Sequence, residues 1–435
     1  MTATSAARLL SGFPERLPGL LALYEDLHAH PELSFQEFRT AAVVAERMRK
    51  QGWEVTEGVG GTGVVGVLAN GEGPVVLLRA DMDGLPVEER TELSYASRET
   101  AVDGEGNKVP VMHACGHDMH VTCLLGATAQ LASARGAWRG TVVAVFQPAE
   151  EVGGAPAVIE DGFLDRFPRA DVCLGQHVSP APVGLVGTRP GTVMAASDSL
   201  RVRLFGRGGH GSTPETTVDP IVMAAAVVMR LQTVVSREVG AAQTAVVTVG
   251  SLHAGTKENI IPDFADLRIN IRSTTPAVRE RVLAAVERIV RAEAAASGAP
   301  KEPEIIALHA FPVTVNDTAA TGTVLTAIAE VLGGERVFTL PEPLTGSEDF
   351  GTFGTALGVP SVFWHFGGGD PALFEHIDPD TLLTDGLPDT VPANHSPYFA
   401  PVPEPTIHTG VTALLAAAAH WLCAEDERAR DGKEK

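Results

Sequence analysis

Apolar positions in this chain change rhythm twice. Between 17 and 50 they recur at helical spacing, broken at His30-Pro31; VVGVLA (64–69) and PVVLLRA (74–80) then read as buried strands. VTCLLGATAQLA (121–132) reads as a helix, and TVVAVFQ (141–147) and DVCLGQH (171–177) as two more strands. Strands alternating with helices predict an α/β layer with a mostly parallel sheet covered on both faces.

The middle of the chain behaves differently. DSLRVRLF (198–205) alternates polar and apolar residues, as a strand with one wet face does. A helix at 220–235, strands at 244–252 and 264–272, an amphipathic helix at 276–296 and a strand at 304–310 follow. The order β-α-β-β-α-β is that of a ferredoxin-like unit. After Phe311-Pro312 the α/β character returns, with a helix near 318–332, a strand at 360–366 and a last helix at 406–424. The expected organisation is a small domain, 193–310, inserted into a larger α/β domain built from 1–192 and 311–435.

Bulk properties narrow the function. A chain of 435 residues is long for one hydrophobic core, in keeping with two domains. With 33 basic and 54 acidic side chains the formal charge is −21, a field that repels phosphate backbones and anionic membranes. No nucleic-acid or membrane partner is therefore expected. No run approaches the roughly 18 uninterrupted apolar residues of a membrane span, and MTATSAARLL lacks the features of a signal peptide. Four scattered cysteines do not form a disulfide framework, so a reducing cytoplasm is the expected location.

Five segments are dense in ligand-type residues: LRADMDGLP (78–86), HACGHDMH (113–120), FQPAEE (146–151), GQH (175–177) and ANHSPYF (393–399). Four of them lie at a strand end or just before a helix, and open α/β sheets gather their ligand sites at the carboxyl ends of strands. Glu150 and Glu151 could not face one site from a straight strand, but Pro148 ends the ladder and lets both converge. One carboxylate can then bind a metal while the other serves as general base, or the pair is a solvated acidic loop. Cys115 and His117, two apart in an extended loop, leave on the same side and suit zinc, or nickel, cobalt or manganese. A buried thiol beside a capping loop, or a redox cysteine, fits the same spacing. GTGVVG (61–66) matches a dinucleotide fingerprint only in letters, because its glycines precede a strand instead of linking strand to helix.

At these segments the chain resembles the M20 metallopeptidase family, in particular its amidohydrolase subfamily of indole-acetyl-amino-acid, hippurate and other N-acyl-amino-acid hydrolases. The resemblance runs from LHAHPELSFQE (27–37) through the five segments to GRGGHGSTP (206–214), ENIIPD (258–263) and GSEDF (346–350). It implies an α/β catalytic domain with an inserted ferredoxin-like lid, and a two-metal centre held by Cys115, His117, Glu151, His177 and His395, with Cys115 as a bridging thiolate. Glu150 would be the general base and Asp83 a carboxylate orienting the centre. Asp81 stands where the wider family has a metal-binding histidine and is not counted as a ligand. In the lid, His210 would stabilise the oxyanion, and Asn259 and Arg272 would hold the substrate carboxylate. The implied substrate is a small N-acyl-amino acid or peptide-like amide, and the implied assembly a homodimer through the lid. A dipeptidase or carboxypeptidase of the same family, and a catalytically silent metal-binding scaffold, are the rival readings. Glu215 replaces a histidine common in the subfamily, a departure that bears on the choice of substrate.

Overall fold

A computed structural model describes residues 5–377 and 386–423. These form two compact units, one of residues up to Val193, Val315–Glu342 and onward from Asp349, the other of Met194–Thr314 and Pro343–Glu348. The grouping of 343–348 with the second unit leaves no mark in the hydrophobic pattern.

After a short helical turn at Ser5–Leu9, the first unit has helices α1 (Leu17–Ala29) and α2 (Phe38–Lys50), separated by a loop that begins at His30-Pro31. Strands β1 (Glu54–Val59), β2 (Gly63–Asn70) and β3 (Val75–Asp81) follow, then helix α3 (His117–Ser133) and strands β4 (Gly140–Gln147), β5 (Val172–Pro182) and β6 (Val186–Thr188). The second unit supplies β7 (Ala196–Phe205), α4 (Pro220–Thr233), β8 (Ala245–Ala254), β9 (Phe264–Ser273), α5 (Pro276–Ala296) and β10 (Glu304–Phe311). The chain returns to the first unit with α6 (Thr318–Leu332), β11 (Val337–Thr339), β12 (Ser361–Gly369) and α7 (Pro403–Leu422). Residue 424, the expected end of α7, lies outside the described residues.

The large sheet has the order β1-β2-β4-β3-β5-β12-β6-β11. Its centre, β4-β3-β5-β12, is parallel throughout, and β3 and β4 read as nearly continuous apolar runs because both faces are covered. The β1-β2-β4 flank is antiparallel, made by a hairpin that the alternation of helices and strands did not foretell. Helix α7 is apolar nearly all round and buried as such, packing in one core with α1, α3 and the sheet.

In the second unit the sheet order is β8-β9-β7-β10, all antiparallel, with α4 and α5 sharing its core. That is the ferredoxin-like arrangement of a β-α-β-β-α-β chain. Pro220–Glu238 is apolar and long enough to cross a membrane by length and composition. Its Met223, Ala224, Val227, Leu231 and Val234 are instead committed to this unit's core.

Candidate active site

The carboxyl ends of the parallel strands converge chemically. Asp81 at the end of β3 is in register with Gln147 at the end of β4, so the chain segments leaving both strands start side by side. His177 lies within β5, opposite His365 of β12. Helix α3 begins at His117, four residues earlier than the apolar pattern suggests, so HDMH forms its first turn.

The route by which Cys115 and His117 reach one place differs from the extended loop expected from their spacing. Gly116 between them is left-handed (φ 85°), and a Cβ there would meet Val178 Cγ1 at 2.4 Å. Only glycine takes that turn at no steric cost. Asp118 does not cap α3: its Oδ2 pairs with His28 Nδ1 at 2.7 Å, and its Oδ1 accepts the N–H of Met119.

Glu150 and Glu151 converge through a second turn. β4 ends at Gln147, Ala149 is left-handed (φ 56°), and a single 3₁₀ turn spans Glu150–Val152. The turn is held from two sides. The Ala149 N–H donates to buried Glu37 at 2.8 Å, and the N–H groups of Glu150 and Glu151 donate to Asp83 Oδ1 and Oδ2, each at 3.0 Å. Asp83 also accepts from Ser34 Oγ and lies 3.2 Å from His117 Nδ1. Burial opposes its charge, but His117, Ser34 and the loop N–H keep its pKa below the usual carboxylate range.

The five residues expected as ligands form two donor sets that share one atom. Cys115, His117 and His177 make the first, and Cys115, Glu151 and His395 the second, with the ligand atoms of each set within 4.8 Å of one another. Cys115 Sγ is 3.4 Å from His177 Nε2 and 3.3 Å from His395 Nε2, and His395 Nε2 is 3.3 Å from Glu151 Oε1. His395 has a left-handed backbone (φ 70°), and its N–H donates to Ala114 O, tying the distant loop to the cysteine segment. Glu150 is buried in a further group with His117 and Glu151.

Two features test whether these residues suit a cation. Among the described residues, buried His117 Nε2 and Glu151 Oε1 have no hydrogen-bond partner, a costly state unless something else satisfies them. Burial, followed by the charges of Glu151, Glu150 and Asp81, pushes the Cys115 thiol well above its ordinary range. Neighbouring carboxylates favour the charged form of His117 instead: burial alone would lower its pKa, but Asp81, Asp83 and Glu151 raise it to about 10. A cluster this rich in negative charge, with sulfur, nitrogen and oxygen donors pointing inward, suits a borderline divalent cation.

Three residues of importance here carried no role in the sequence reading. Arg79 is fully buried beneath the site and donates to Asp81, to Gln147 Oε1 (2.9 Å) and to Asp349 Oδ1 (3.0 Å). Asp349 belongs to the GSEDF segment and Glu37 to LHAHPELSFQE, so ordered motifs contained both without revealing what they touch.

In the second unit, His210 and Asn259 meet at a short antiparallel ladder of Gly209–His210 with Ile260–Ile261. His210 pairs with Ile260, Gly211 N donates to Asn259 O at 2.9 Å, and His210 Nδ1 accepts from Ser212 N at 3.1 Å. Arg272 is elsewhere. It lies near the far end of β9, where Nη1 donates to Thr345 O (2.7 Å) and Nε to Asn270 Oδ1 (3.2 Å). This ladder adjoins the Phe264 end of β9, so roughly 26 Å of strand, at ~3.3 Å per residue, separates it from Arg272.

The chain is similar to known proteins over most of its length. Hippurate hydrolase of Campylobacter jejuni is 40% identical over 330 residues, covering 75% of this chain and 82% of the relative. Thermostable carboxypeptidase 1 of Saccharolobus solfataricus is 38% identical over 340 residues, covering 77% and 82%. A crystal structure from Bacillus subtilis, described as a dinuclear metal-binding peptidase from the M20 family, superposes with a TM-score of 0.70 at 28% identity, covering 94% of this chain and 98% of that one. The family model "Peptidase family M20/M25/M40" matches residues 77–388, which spans the Asp81, Cys115, Glu150 and His177 segments, and the chain belongs to that family.

Proposed function

We propose that this chain is a metal-dependent amidohydrolase that cleaves N-acyl-amino acids, or similar small amides, to a carboxylate and an amine. The observation that carries the reading is the pair of donor sets meeting at Cys115 with Glu150 beside them. Two divalent ions, zinc, manganese, nickel or cobalt, fit these donors. Cys115, His117 and His177 would hold one, and Cys115, Glu151 and His395 the other, with the thiolate shared. Bound there, the ions would supply Lewis-acid polarisation of the scissile carbonyl and would acidify a water.

The protein's own groups do the rest. Glu150 takes a proton from the attacking water and returns it to the departing nitrogen. Asp83 fixes the orientation of His117 and of the Glu150–Glu151 turn at once. His210 stabilises the oxyanion, and Asn259 and Arg272 hold the substrate carboxylate.

A single copy cannot bring both Asn259 and Arg272 to one small carboxylate, given the length of β9 between them. That separation supports a homodimer through the second unit, the lid, in which His210 and Asn259 serve the partner's substrate. Val222 and Met229, one heptad apart on the outer face of α4, are exposed, and β8 is an edge strand. Both suit an interface between copies. All four cysteines are free, in keeping with a cytoplasmic location.

Metal analysis followed by hydrolysis of acetyl- and benzoyl-amino acids, with and without chelator, tests the reading. Chelator-sensitive release of free amino acid is expected. Bound metal without any such hydrolysis would instead support the silent scaffold. The carboxypeptidase relative favours a second reading, a dipeptidase or carboxypeptidase, in which dipeptides outcompete acyl-amino acids in the same assay.

A further inference from the structure

His120 belongs to neither donor set meeting at Cys115, yet it is buried against one of the residues in it. Its ring lies 4.4 Å, centroid to centroid, from that of His177, at 71° to it. Its Nε2 accepts the N–H of Val178 at 2.7 Å. A peptide N–H can only donate, so Nε2 must carry the lone pair and Nδ1 the proton. That proton has a partner in Asp81 Oδ1. Asp81 is in turn held by Arg79, whose Nη1 donates to Oδ2 at 2.5 Å and whose remaining donors are engaged by Gln147 and Asp349.

The other side of the Val178 residue closes the chain of contacts. Its carbonyl lies 2.7 Å from His177 Nδ1. A carbonyl can only accept, so His177 carries its proton on Nδ1 and turns a lone pair on Nε2 toward Cys115 Sγ. One residue of β5 is thus gripped through its N–H by His120 and through its C=O by His177. The Oδ2 of Asp81 is already committed to Arg79, although it lies only 3.7 Å from His117 Nε2.

We propose that His120, oriented by the Asp81–Arg79 pair, is a positioning residue that fixes the orientation and tautomer of His177 and so completes one of the two ion sites. The assignment rests on the two-metal reading above. It makes the Asp81 position, a carboxylate where the wider family has a histidine, part of the support of the centre without being a ligand.

The test is ion stoichiometry and affinity in the full chain, titrated with zinc or cobalt. Wild type should take up two ions. His120→Leu, which keeps bulk but cannot accept from Val178, should keep one ion tightly and bind the other about 10–100-fold more weakly. His120→Gln can place Oε1 near the lost Nε2 and should restore most of that affinity. Asp81→Asn should resemble His120→Leu, because an amide N–H facing Nδ1 drives the His120 proton onto Nε2, against the Val178 N–H. Two tight ions in both His120→Leu and Asp81→Asn would overturn the assignment, as would equal loss of both ions in His120→Leu and His120→Gln. A wild-type chain that binds no ion tightly would instead overturn the two-metal reading, and the assignment with it.

Discussion

Asp83 Oδ1 lies 3.2 Å from His117 Nδ1 and also accepts the N–H of Glu150, so one carboxylate oxygen joins the first turn of α3 to the loop after β4. The second oxygen accepts from Glu151 N and Ser34 Oγ. His117 and the Glu150–Glu151 turn are therefore aligned by the same side chain, which is itself fully buried. Asp83→Ala should weaken metal binding by about 10–100-fold. Competition with a metal-sensitive dye reads this directly, and wild-type affinity in the variant would refute the shared support.

Glu150 and Glu151 are neighbours in different surroundings. Glu151 shares a donor set with Cys115 and His395, whereas Glu150 belongs to neither donor set that includes Cys115 and is grouped with His117 and Glu151. Glu150→Gln keeps shape and backbone contacts but removes the base. Turnover should fall by roughly 10²–10⁴ with the metal content unchanged. Retained turnover, or loss of metal, would reassign Glu150.

His28 is buried between two carboxylates, with Nδ1 2.7 Å from Asp118 and Nε2 3.0 Å from Glu89. Burial opposes its charge, yet these partners raise its pKa to about 10. A basic group whose pKa rises on folding stabilises fully below its unfolded value, near 6.5, and loses that contribution as pH climbs toward 10. His28→Gln should therefore cost about 3–5 kcal/mol at pH 6, and the difference in melting temperature from wild type should shrink by pH 10. A difference that stays constant with pH would show that His28 is neutral in the folded protein.

Much of this architecture was legible in the pattern of the chain, and the reasons are local. β3 and β4 are nearly continuous apolar runs, and β9 alternates because only one of its faces is buried. Both signals belong to single segments. The segments that meet in the two donor sets were legible as ligand-dense motifs, with His177 inside a buried strand and Cys115, Glu151 and His395 in turns and loops. What remained hidden depends on contacts between distant segments. Glu37 reaches Ala149 across 112 residues and Arg79 reaches Asp349 across 270, and no periodicity records such pairs. The start of α3 was hidden for another reason, because HDMH is polar, and polar first turns carry no hydrophobic rhythm. The separation of Asn259 from Arg272 follows from the sheet register, which motif order does not contain.

Glu37 gives the last prediction. It is buried, accepts from Ala149 N and Thr62 Oγ1, and so holds the left-handed residue that aims the two glutamates. Burial, then the charge of Asp83, pushes its pKa up to about 7. An acid whose pKa rises on folding works against stability. Between its unfolded value near 4.5 and about 7, the folded chain keeps a proton that the unfolded chain has lost, so stability falls as pH rises through that window. Glu37→Gln removes this dependence. Its carbonyl can still accept from Ala149, and its amide can donate to the Thr62 hydroxyl. The variant and wild type should melt together near pH 4.5, and at pH 8 the variant should be more stable by up to about 3 kcal/mol. Thermal unfolding of both proteins across that range decides it: melting curves that shift in parallel would mean that Glu37 is ionised in the fold, and that the Ala149 turn is held by a carboxylate instead of a carboxylic acid.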